Sequence, residues 1–226
     1  WLRPSPTIPM IKAAAVGLAA QRAVEAAELA ALGVTASEDA LETAFARLGP
    51  LHSVPADPAP FQRLGSRYTI TRNIIKAFPA QIYTQAAIQA TLELHRRGVR
   101  AEGVRRLTLF GHRNVCGGVQ GSPEAFAPTT REAADHSTPF VMAMALRRGQ
   151  MTLREYEGEP WLDPGVRALM GRIELVREPE RDRALDTEGV LGVRLVAELE
   201  GGRREEVEVA QPRGHPDAPF SEADLL

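Results

Sequence analysis

The stretch NIIKAFPAQIYTQAAIQATLEL, Asn73 to Leu94, decides how this chain is read. Two apolar residues, Ile74 and Ile75, lead to Lys76. Phe78 and Pro79 follow, and the spacing predicts a helix that opens at Pro79 and ends near Gly98. Proline loses nothing at a first helical position, because its missing N–H would be unpaired there anyway. Gln81, Gln85, Gln89 and Glu93 recur every fourth residue and predict a polar face. Tyr83, Ala87, Ala90 and Leu94 predict the apolar stripe opposite. Lys76 would then stand just before a helix N-terminus, whose amide N–H groups and partial positive charge favour anions. The alternative is a surface lysine beside an ordinary helix start.

Downstream, strand and helix signals alternate. Tyr68 to Ile75 reads as a strand, and so does Val104 to Phe110. His112 to Ser122 is glycine-rich but lacks the strand–GxxxxGK[ST]–helix context of a phosphate loop, so it reads as a flexible loop. Cys116 within it carries no sign of activation and reads as an inert thiol. Thr129 with Glu132 has the spacing of a capping box. Ser137 or Thr138 caps a helix with Pro139 at its start, running to Arg148 and stopping at Gly149. A short helix is expected over Thr152 to Glu157, and another from Asp163-Pro164 to Met170. Arg172 to Arg177 alternates as a strand. Val190 to Leu199 and Arg203 to Val209 form a hairpin about Gly201-Gly202. Arg213 to Pro219 is a loop, and Ser221 with Asp224 opens a last helix. The expected fold class is α+β, a two-layer domain with helices on one face of a mostly antiparallel sheet.

Upstream, residues 1–9 are irregular. A helix is expected from Met10 to Gly33. A second runs from the capping pattern Thr35/Glu38 to Arg47, burying Leu41, Phe45 and Leu48. Residues 49–60 hold four prolines and mark a boundary. The expected organisation is therefore the C-terminal part of an all-helical domain (1–50), an α+β small domain (61–210) and a return segment (211–226).

Four stretches, in order, resemble the MmgE/PrpD family. They are MIKAAAVGLAAQRAVEAAELAALGVT (Met10 to Thr35), the run from Lys76 through Phe78-Pro79-Ala80 to Gln81 and Gln85, ADHSTPFVMAMALRRGQMT (Ala134 to Thr152), and RGHPDAPFSEADL (Arg213 to Leu225). The resemblance implies a cofactor-independent hydro-lyase that dehydrates 2-methylcitrate or a similar tricarboxylic acid in propionate metabolism, working as a homodimer on a small-molecule substrate. A decarboxylase acting on cis-aconitate, an isomerase of the same family, or a catalytically silent truncated module are the alternatives. Family members carry a substantial helical portion ahead of the segments matched here. With Trp1 rather than Met at its start, the chain is expected to be the C-terminal part of a longer protein or a truncated homologue.

Dehydration removes a proton next to a carboxylate and expels a neighbouring hydroxyl. It needs a base, an acid and cationic or N–H donors for the carboxylates. Lys76 and His136 are suitable types, each near a predicted helix start, and Lys12 is a third cation. Lys12 and Lys76 are the only lysines in a chain that otherwise uses arginine. A compact ammonium does what a guanidinium fork does not; chance retention is the alternative. The resemblance implies that Lys76 and Lys12 line the active-site cleft. Gln81, Gln85, Asp135 and Ser137 are the expected substrate-binding residues. Decarboxylase-like relatives carry histidine where Gln81 stands, which favours the dehydratase branch. Phe140 stands where relatives commonly carry tyrosine, so a hydroxyl contact is lost there. His136 equally suits a purely structural role at a helix start.

Composition narrows the classes further. The 226 residues are 44% hydrophobic and 25% charged, with 5% aromatic, a globular profile. A net charge of −2, with arginines scattered among acids, gives no reason to expect nucleic acid. One cysteine excludes a disulfide within the chain and a cysteine-ligated iron–sulfur cluster. His52, His95 and His112 have no metal-ligand spacing and His215 sits beside Asp217, so no metal is expected. No apolar run of about 18 residues predicts a membrane span and no signal peptide is visible. Cytoplasmic is the default location.

Overall fold

The computed structural model describes residues 8–40, 42–44, 46–47, 65 and 68–224. The chain divides into two compact units, Pro9–Thr71 and a larger one of Trp1–Ile8 with Arg72–Leu226. In the smaller unit, α1 (Ile11–Ala31) is the expected alanine-rich helix, and none of its residues is buried. The backbone turns out of it at Gly33, whose φ of 86° suits glycine. The second helical stretch starts at Ala40 rather than at Thr35. Asp39 takes its first bond, from Thr43 N–H at 2.9 Å, and the Asp39 carboxylate accepts from the Ser37 and Thr43 hydroxyls. Leu41, Phe45, Leu48 and the expected boundary at 49–60 lie outside the described residues. No helix among the described residues is long and apolar enough to cross a membrane.

The larger unit is α+β. Its sheet has the order β2-β1-β3-β4, with β1 Val104–Gly111, β2 Ile173–Arg177, β3 Val193–Leu199 and β4 Arg204–Val209. The expectation of a mostly antiparallel sheet is corrected to a mixed one. β1 is antiparallel to β3, and β3 to β4, but β1 and β2 are parallel, with Leu107 opposite Ile173 and Leu109 opposite Leu175. Alternating hydrophobicity sets which face a strand buries and is blind to its direction. The direction comes from the long helical connection between β1 and β2, which is what a parallel pair requires. The β3–β4 hairpin turns where expected, with Gly201 and Gly202 at φ 76° and 81°.

One sheet face is covered by α2 (Gln85–Arg96), which packs against α6 (Thr138–Arg148). The core between them holds Ile88, Leu94, Leu107, Leu109, Phe140, Met142, Leu146 and Leu195, all with under 2% exposure. Each such side chain stabilises the fold by roughly 1.5–3 kcal/mol relative to exposure. Helix α6 is capped by Ser137 at one end, with Pro139 in its first turn, and stops at Gly149 in the left-handed conformation. Helix α7 (Pro164–Met170) and the turn Leu153–Tyr156 also stand where expected.

Four local expectations are corrected. Tyr68 to Ile75 is not a strand. Thr69–Arg72 forms a 3-10 turn, and Ile70 and Ile75 are 72% and 59% exposed, so no layer recruits them. Helix α2 opens at Gln85, not Pro79. His112 to Ser122 is not a plain loop but holds α3 (Arg113–Cys116) and α4 (Gly118–Gly121). Helix α5 (Arg131–Ala134) is capped by Thr130, which accepts from Ala133 N–H, rather than by Thr129. Helix α8 (Pro179–Glu188) escaped the sequence reading because its composition is almost wholly polar. It opens at a proline, stops at Gly189 with φ 71°, and is held by ion pairs. Arg113 grips Asp186 with two hydrogen bonds of 3.0 and 2.5 Å, and Arg177 reaches Asp182 at 2.5 Å.

His112, at the end of β1, is fully buried. Its Nδ1 accepts the Asn114 N–H at 3.2 Å, so the neutral ring carries its proton on Nε2. Its ring meets Tyr83 edge-on at 5.5 Å. Burial pushes its pKa down to about 4. The Asp182 carboxylate opposes that shift, and Arg113 and Arg181 reinforce it. The folded chain thus binds fewer protons than the unfolded one between pH 6.5 and 4, and stability present above pH 6.5 is lost as pH falls through that window. The loss is expected to reach about 3 kcal/mol near pH 4. Urea unfolding at pH 7 and pH 4, on wild type and His112→Gln, measures it. A His112→Gln variant with the same loss in that window would refute this assignment.

Candidate active site

The site begins at the turn of residues 77–81, which precedes α2. Its backbone is held from four sides. The Gln85 side chain clasps Phe78, accepting its N–H at 2.9 Å and donating to its carbonyl at 3.0 Å, with a further bond to Ala80 O at 3.3 Å. The Tyr156 hydroxyl donates to Pro79 O at 2.9 Å. Lys76 Nζ donates to Ala80 O at 3.0 Å. Gln81 N–H donates to Asp135 O at 3.0 Å. The Gln81 side chain accepts Tyr83 N–H at 2.6 Å and so caps the 3-10 turn Ile82–Thr84 that leads into α2. The amides of this helix start are therefore partly occupied by the chain itself, which corrects the picture of an open N-terminus beside Lys76.

The Gln81–Asp135 bond joins this turn to a second motif. Asp135, His136 and Ser137 link α5 to α6. His136 is 7% exposed. Its Nδ1 faces two acceptors, Glu132 O at 3.0 Å and the Asp135 carboxylate, so Nδ1 carries the proton and Nε2 is the basic atom of the neutral ring. Ser137 is fully buried. Its hydroxyl donates to Ala125 O at 2.5 Å and accepts Phe140 N–H at 3.0 Å, so both its functions serve the fold. Gln85, at 1% exposure, is likewise buried, against the expectation that it lies on the polar face. A buried amide must be fully hydrogen-bonded, and the turn it clasps supplies those bonds.

A third motif closes on Lys76 from the C-terminal segment. Ile75 N–H donates to Gly214 O at 2.9 Å, and Gln89 Oε1 accepts Arg213 N–H at 2.9 Å. Gly214 has φ 89°, and a Cβ there would overlap the Ile75 carbonyl. His215 follows, 7% exposed, with Nδ1 accepting Asp217 N–H at 3.2 Å. Lys12 stands in the first turn of α1, in the smaller unit, and is half-buried.

Aromatic packing supports the turn. Phe140 is fully buried, 5.8 Å from the Tyr156 ring and 6.3 Å from Trp161. A hydroxyl lost at position 140 is thus lost within the core. Tyr156, which the sequence reading missed, supplies the hydroxyl that reaches the turn. Burial pushes its phenol well above the ordinary range. The Asp135 carboxylate adds to the rise, and the Arg131 guanidinium, 5.6 Å above the ring, opposes it. Burial pushes the Cys116 thiol up to about 12, which disfavours the thiolate.

In sum of charge, the surroundings offer an exposed ammonium (Lys76), an imidazole oriented by a carboxylate (His136, Asp135), the Gln81 amide NH2 and a nearby guanidinium (Arg131). Such a set can hold carboxylates and move one proton.

Comparison with known proteins gives the family. The family model described as MmgE/PrpD C-terminal domain matches residues 78–226. Over 156 residues the chain is 27% identical to 2-methylcitrate dehydratase of Cupriavidus necator, covering 66% of this chain and 32% of that protein. It is 26% identical over 146 residues to the enzymes of that name from Salmonella typhimurium and Escherichia coli, covering 62% of this chain and 30% of theirs. The chain thus spans about a third of the length of the curated relatives it matches.

Proposed function

Because this chain belongs to the MmgE/PrpD family, we propose that it is part of a cofactor-independent hydro-lyase that dehydrates 2-methylcitrate or a similar tricarboxylic acid. The observation that carries the reading is the 3.0 Å bond from Gln81 N–H to Asp135 O, which ties the Lys76 turn to the Asp135–His136 pair.

In this reading the Lys76 ammonium and the Gln81 NH2 bind carboxylates of the substrate. His136 Nε2 removes the proton from the carbon next to a carboxylate, while Asp135 steadies the imidazolium that forms. The carbanion-like charge spreads into the carboxylate held by Lys76. The C–O bond on the adjacent carbon breaks, the leaving hydroxide takes the proton back from the His136 imidazolium, and an alkene and water are the products. Gln85, Ser137 and Tyr156 hold these groups in place. Lys12 is carried as a second candidate cation, tested by Lys12→Ala in the same assay.

Gln81 is a neutral amide and transfers no proton, which argues against decarboxylation through that residue. The test incubates the purified protein with 2-methylcitrate, citrate and cis-aconitate. It follows alkene formation from the first two and carbon dioxide from the third. Alkene without carbon dioxide is expected. Carbon dioxide release would move the reading to a decarboxylase, and no turnover of any of the three would end it.

A further inference from the structure

Resting on that reading, we infer that Arg131 supplies a second cationic contact, binding a carboxylate of the ligand that Lys76 holds. A tricarboxylate brings three negative charges to a place that already contains the Asp135 carboxylate, and one ammonium leaves most of that charge uncompensated. Arg131 opens α5, one helical turn before Asp135, so the two stand on the same side of the chain. Its guanidinium lies over Tyr156, whose hydroxyl holds Pro79 in the Lys76 turn. Both Arg131 and Asp135 act electrostatically on that phenol.

The side chain is exposed, and among the described residues no carboxylate pairs with it. Arg113, Arg177, Arg181 and Arg194 of the same unit each hold an ion pair, whereas Arg131, like the exposed Arg183, holds none among the described residues. The ring beneath, 5.6 Å from the guanidinium carbon, attracts the cation, and its two-pronged edge suits a carboxylate.

Calorimetric titration with citrate tests this on wild type, Lys76→Ala, Arg131→Ala, Arg131→Lys and Arg183→Ala. Arg183 is exposed on α8 and removes the same charge elsewhere. Arg131→Ala is expected to weaken citrate about tenfold, and Arg131→Lys about threefold, since charge survives but the fork does not. Arg183→Ala is expected to bind as wild type does. In turnover, the Arg131 variants should raise KM and leave kcat within about twofold, the mark of a binding contact. Should Arg131→Ala unfold, Arg131→Gln keeps the stem over Tyr156 and is judged by the same tenfold loss. If Lys76→Ala loses citrate while Arg131→Ala and Arg183→Ala behave alike, this inference falls and the proposed function stands. If wild type binds neither citrate nor 2-methylcitrate, both fall.

Discussion

Lys76→Ala is expected to cut turnover by about two to four orders of magnitude while leaving the fold almost untouched. The side chain is exposed, and its one hydrogen bond among the described residues, to Ala80 O, stabilises the fold by about 1 kcal/mol at most. The Gln85 and Tyr156 bonds keep the turn in place without it. Stability and catalysis should therefore separate. An unfolding curve near that of wild type, beside a kcat reduced about a thousandfold, is the expected pair of results. Lys76→Arg should recover less than a tenth of the loss, because a planar guanidinium on a longer stem cannot occupy the place of a compact ammonium. A kcat for Lys76→Ala within about threefold of wild type would remove Lys76 from the chemistry.

Gly214→Ala is expected to destabilise the larger unit by about 4 kcal/mol, from strain at a positive φ and a clash that relaxes only by moving backbone. Its φ of 89° is unfavourable for any residue with a Cβ, and that Cβ would press on the carbonyl of Ile75. The obstacle is main chain, so no rotamer change relieves it. Relief means parting the C-terminal segment from Ile75, which breaks the 2.9 Å bond between Ile75 N–H and Gly214 O. Because Ile75 precedes Lys76, activity should fall together with stability. Urea unfolding of Gly214→Ala measures the first. A midpoint equal to that of wild type would show that the segment separates at no cost. Gly158→Ala is the control, since its φ of 72° carries the same backbone strain with nothing near the added carbon.

Much of the larger unit could be read from residues. Ser137, Asp163 and the glycines at 149 and 201–202 mark their boundaries because caps and tight turns are local devices, set by a few neighbouring atoms. The parallel pairing of β2 could not be read, since strand direction depends on where a distant connection returns. Helix α8 was hidden because ion pairs with Arg113 and Arg177, not an apolar stripe, hold it. Of the site, Lys76, Gln81, Asp135 and His136 stood out by type and by family resemblance. Tyr156 and Arg131 did not, because the capping signals at Thr152/Glu155 and Thr129/Glu132 place the backbone of their segments and not the reach of a side chain. Gln85 was assigned to the wrong face because its four-residue spacing matched Gln81 and Gln89. The turn it clasps begins only when Phe78 folds back on it.

The route of the chain between β1 and β2 sets a limit on how this protein assembles. Residues 112–172, with Asp135, His136 and Tyr156 among them, separate β1 from the strand it pairs with. Contacts so far apart along the chain form slowly, whereas the β3–β4 ribbon closes on its own neighbours. During refolding, intrinsic sheet signal should therefore return first, and affinity for a carboxylate ligand only with the slowest phase.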